Sequence, residues 1–206
     1  MSSSTLDSPT LYQKVNALNL DQFLSDALDD SSGIAPIVVF ISSTNWQEKI
    51  ANCLKESTFT CHSLHDMLRL GFHHNPFVLV VSKNRAECST NELQQILSSR
   101  SKQPFEIVCD SKINDLELID AIKKACDRVK KTASIENSID RVAKGFTTDS
   151  SPKTTLQGNL PDRSNINDYF EGRNLLKSRI IDFIENKPED FLKEAISEIR
   201  KPSTSL

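Results

Sequence analysis

Ser42, Ser43, Thr44 and Asn45 follow one short apolar run of this chain, and Ser82, Lys83 and Asn84 follow a second. Asp110 and Lys112 come just after a third, PFEIVC. Hydroxyls beside a lysine and a carboxylate are groups with which a small transferase or hydrolase works, since a serine attacks only when a neighbouring group activates it. Ser42, Ser43, Asp110 and Lys112 are therefore the residues an enzyme reading requires. The first two sets carry no carboxylate, so the hard oxygen ligands that would hold a magnesium ion are missing there. Neither a nucleophile-elbow motif nor a pair of carboxylates near a histidine is visible. The chain has five glycines, none at the first strand-to-helix turn, where a phosphate-binding loop needs close backbone approach. We therefore expect no catalytic residues, with the α/β transferase or hydrolase as the alternative.

Cys61, His62, His65, His73 and His74 form the one concentration of metal-ligating types. Structural zinc motifs pair two close ligands with a second pair at a defined distance, and adjacent histidines on a helix point about 100° apart. Neither requirement is met, so no metal and no cofactor is expected. The five cysteines are odd in number and contain no C-x-x-C pair, which fits reduced, mostly buried thiols rather than a disulfide framework.

The elements that position these residues are legible from periodicity. Pro36 to Ile41 (PIVVFI) and Phe77 to Val81 (FVLVV) are continuous and β-branched, as in strands buried on both faces of a parallel sheet. TFTCHS (Thr58 to Ser63) and Pro104 to Cys109 supply two more strands. Helices are expected between them: Ser43 or Thr44 to about Lys55 with Trp46, Ile50, Cys53 and Leu54 inward, then His65 to His73. A third runs from about Asn91 to Ser99, capped by Thr90, with Leu93, Ile96 and Leu97 inward. Asn114 or Asp115 caps a last helix. The resulting βαβαβαβα order predicts a three-layer α/β fold, flavodoxin- or receiver-like, with a short parallel sheet of about four strands. In such sheets ligands sit beyond the carboxyl ends of the strands.

The last helix carries Ile119, Ile122, Cys126, Val129 and Ala133, and a second stripe at Ile135, Ile139, Val142 and Phe146 starts out of phase with the first. At the N-terminus, residues 1–10 read as a disordered tail, and Leu11 to Leu28 as a short docking helix ended by Asp29 to Gly33. Thr147 to Asn167 is rich in Ser, Thr, Pro, Asp and Asn and reads as a flexible linker. The tail returns to helix, with Leu175, Leu176, Ile180, Phe183 and Ile184 on one face. Asn186 and Lys187 break it, and Pro188 opens a further segment with Phe191, Leu192, Ile196 and Ile199. The expected organisation is a tail and short helix over 1–33, an α/β domain over 34–132, a helix extension and linker over 133–168, and a helical segment over 169–201.

With 206 residues at 37% apolar content, the chain supports one ordinary domain of ~100–150 residues with appendages. A net charge of −3, with both signs interspersed, excludes an electrostatic footprint for nucleic acid and a polybasic membrane contact. Its apolar runs fall far short of the ~20 residues that span a bilayer, and its N-terminus lacks a signal-peptide pattern. We expect a cytoplasmic protein.

Residues 34–132 resemble the receiver domains of two-component signalling, in a degenerate or pseudo-receiver form. A receiver's acidic pair aligns here with Ser42 and Ser43, and its phospho-accepting Asp with Ser82 or Lys83. Its lysine survives as Lys112 in KINDLELIDAI. The resemblance implies neither a metal site nor an acyl-phosphate, because a hydroxyl replaces neither that charge nor that nucleophile. The chain has one βα unit fewer than a receiver. Its layout is similar to that of cyanobacterial circadian-clock activators, which join a pseudo-receiver to a helical output domain. The implied function is a non-catalytic regulatory or adaptor protein in signalling, working through protein–protein interaction by its C-terminal helices or the last domain helix. Phe183, Phe191, Leu192, Ile196 and Lys112 are its candidate binding residues. Homodimerisation and service as a structural subunit of a larger complex are the other outcomes.

Overall fold

The computed structural model describes residues 9–41, 46–69, 75–82, 89–110, 114–147 and 163–186. They divide into two compact units. One contains residues 29–134, and the other joins the N-terminal helices to the residues from Ile135 onward.

The first unit is α/β. Strands β1 (Ile37–Ile41), β2 (Ser57–Cys61), β3 (Phe77–Ser82) and β4 (Phe105–Asp110) alternate with helices α3 (Trp46–Ala51), α4 (Leu64–Arg69) and α5 (Thr90–Arg100). Helix α6 (Asp115–Thr147) begins here. The sheet is parallel throughout, in the order β2-β1-β3-β4. Its two faces have separate cores, because alternate residues of a strand point to opposite sides. Val38, Phe40, Val78, Val80 and Val108 pack with Ile50 of α3 and with Leu118, Ile122, Cys126 and Val129 of α6. Val39, Ile41, Phe77, Leu79 and Val81 pack with Met67 of α4 and Leu93 and Leu97 of α5. Burial on both faces is why the first and third strands read as unbroken apolar runs. The chain leaves β1 toward one edge and β3 toward the other, so the topological switch point lies between these two strands. This is the three-layer, flavodoxin-like arrangement expected from the sequence, with its four strands.

Local chemistry sets the element ends. Ser89, rather than Thr90, caps α5: its side chain accepts from the Glu92 backbone N–H while Glu92 reaches back to the Ser89 N–H at 2.7 Å. This capping box holds a helix end worth about 1 kcal/mol. Asn114 caps α6 by accepting from the Glu117 N–H at 2.9 Å. Helix α3 stops at Ala51, so Cys53 lies beyond it and is exposed rather than on an inner face. Cys61 and Cys126 are buried, and Cys109 is half-buried.

The second unit is helical. The single N-terminal helix expected over Leu11 to Leu28 is in fact two, α1 (Leu11–Asn16) and α2 (Leu20–Asp29). Asn19 starts the second, its side chain accepting from the Gln22 N–H at 3.4 Å. Thr10 and Gln13 form a capping box on the first. Helix α7 (Arg163–Glu185) begins inside the stretch expected to be linker. The change of phase in α6 now has a reason. Its stripe through Val129 belongs to the sheet core, and Ile135, Ile139 and Ala143 are buried in the helical unit, so the buried face changes where its partners change.

Candidate functional site

The strand ends are the first place to look. Ile41 and Val81 are buried at the carboxyl ends of β1 and β3, and the register sets Asp110 beside Ser82. Ser42, Ser43, Thr44, Asn45, Lys83, Asn84 and Lys112 lie outside the described residues. His62 and His65 are both exposed. Among the described residues, no three His, Cys, Asp or Glu side chains come together as a metal site. His73, His74 and Cys88 lie outside that set.

The helical unit holds more that can be read. The spacing of Gly172, Leu176, Ile180 and Ile184 gives α7 one buried stripe. A Cβ built on Gly172 would come 3.2 Å from Phe146 Cδ2 and 3.3 Å from Leu11 Cδ1, so three helices converge at this glycine. The Arg179 guanidinium donates to the Val15 backbone carbonyl, tying α1 to α7. Along the flank of that stripe, two acids one turn apart on α6 face two bases one turn apart on α7. Arg173 bridges Glu136 at 2.6 Å and Asp140 at 2.5 Å, and Lys177 meets Glu136 at 2.5 Å. The crossed pattern makes α6 and α7 antiparallel here. Burial opposes the charge of Arg173, but its hydrogen bond to Asp140 and the nearby Glu136 outweigh burial and push its pKa up. Burial also pushes the Tyr169 hydroxyl up, with Asp140 adding to it.

Of the binding residues expected from the sequence, Phe183 is half-buried on α7. Phe191, Leu192, Ile196 and Lys112 lie outside the described residues. The remainder of the apolar tail face, Leu176, Ile180 and Ile184, is buried within this unit. The residues left outward are further upstream, Ile166 in the stretch expected to be linker and Phe170 at the start of the expected helical segment, 41% and 55% exposed. Phe170 meets Tyr169 edge-on at 5.2 Å between ring centroids. Asp168 and Glu171, both exposed, flank the pair. The i, i+4 spacing of Ile166 and Phe170 was the available signal, and the surrounding Asn and Ser obscured it. The exposed pair is apolar, so it is suited to binding rather than to bond making.

The buried thiols give a pH prediction. Burial, with help from Glu56, Asp127 and Glu106, pushes the Cys126 thiol up to about 12 from 9.0. The unfolded chain loses that proton near 9 while the folded chain keeps it, so above pH 9 the unfolded state binds fewer protons and stability falls as pH rises toward 12. Cys126→Ala is expected to lower stability at neutral pH, through the cavity it leaves, and to flatten this alkaline loss. Urea midpoints measured from pH 8 to 11 check it, and an equally steep decline in the variant contradicts it.

These features define the class as a doubly wound α/β protein with a helical unit built from both halves of the chain. No helix among the described residues is long and apolar enough to cross a membrane. In comparisons with known proteins, no family model, no curated protein and no solved structure matches the chain.

Proposed function

We propose that this is a non-catalytic regulatory adaptor, with the α/β unit as a pseudo-receiver-like scaffold and the helical unit as the surface that binds another protein. The observation that carries the reading is the pair Ile166 and Phe170. They lie one turn apart and outward on α7, while Leu176, Ile180 and Ile184 of the same helix are buried. Large apolar side chains set out at helical spacing are the anchors by which a helix is recognised, and aromatic residues dominate such contacts. The strand order supports the same reading, since β2-β1-β3-β4 is what a receiver with one βα unit fewer would have, and on that resemblance Ser42 and Ser43 align with a receiver's acidic pair and Ser82 or Lys83 with its phospho-accepting Asp. A signalling role follows from that resemblance.

Replacing Ile166 and Phe170 together by Asp is expected to weaken the complex at least about tenfold, because each anchor of this kind is worth 1 kcal/mol or more. The fold is expected to be kept, since both side chains are exposed and surface changes move stability by about 0.5 kcal/mol. Proximity labelling in native cells, followed by reconstitution from the purified pair, supplies the measurement. Equal binding by the variant would remove α7 from the contact, and failure of any protein to reconstitute would end the adaptor reading.

A further inference from the structure

We draw no further inference here: the strongest candidate, the uncharged strand β2 (Ser57–Cys61) at one edge of the sheet, carries none, because nothing in the structure shows what covers that edge.

Discussion

Phe77→Ala is expected to cost about 3–5 kcal/mol, the largest loss of any single truncation in the α/β unit. Phe77 is fully buried and stacks on Phe105 with centroids 5.5 Å apart and planes 14° from parallel. It opens β3, one of the two strands with neighbours on both sides, and in the register it lies between Ile37 and Phe105. Its backbone N–H donates to the Pro104 carbonyl at 3.2 Å, and the Ile37 N–H donates to the Pro76 carbonyl at 2.9 Å, so the strand starts are pinned around it. With the backbone held this way, the core collapses little onto the missing ring and a cavity remains. Phe105→Ala, at a half-buried edge position, is expected to cost clearly less. Equilibrium urea unfolding of both variants settles the matter. An unchanged midpoint for Phe77→Ala would show that the second core does not depend on this ring.

Arg173→Met is expected to cost about 2–3 kcal/mol, somewhat below the 3–5 kcal/mol of a fully buried pair broken on one side. The reduction reflects exposure, since the Asp140 side chain is 39% exposed and the Arg173 side chain 26%. Methionine keeps much of the volume but leaves Glu136 and Asp140 one turn apart, with only Lys177 to offset them. Like charges at this spacing repel. Arg173→Lys is expected to recover only part of the loss, because one ammonium does not reproduce the planar fork that reaches both carboxylates. Adding Glu136→Gln and Asp140→Asn to Arg173→Met is expected to restore most of the stability by removing the uncompensated charge. Thermal unfolding in low and in 1 M salt separates the effects, since screening at about 3 Å weakens the repulsion but not lost packing. If the triple variant were no more stable than Arg173→Met, charge would not be the cause.

Particular residues show how far sequence alone reached. The strand cores were legible because a strand buried on both faces must be apolar at every position, as Val38, Val39, Val78 and Leu79 are. The cap of α6 was legible to within two residues, Asn114 or Asp115, because such a side chain acts on a backbone N–H three residues away, and the structure selects Asn114. Ser89 was not, since Thr90 beside it has the same chemistry and only the backbone geometry chooses between them. Ile166 and Phe170 were missed for a different reason: a polar neighbourhood masks helical spacing when too few apolar residues repeat it.

The composition and periodicity of this chain by themselves determined its class, its four parallel strands and the apolar faces of its long helices. These properties are local: each residue's side is set by the period of its own element, and the period is written in the sequence. Only the tertiary structure decided what those faces meet. It brought α1 and α2 to the end of α6 and to α7, converged Leu11, Phe146 and Gly172, and paired Arg173 with Glu136 and Asp140. An apolar stripe encodes that it must be covered and says nothing of which segment covers it, because hydrophobic burial is proportional to area and has no direction.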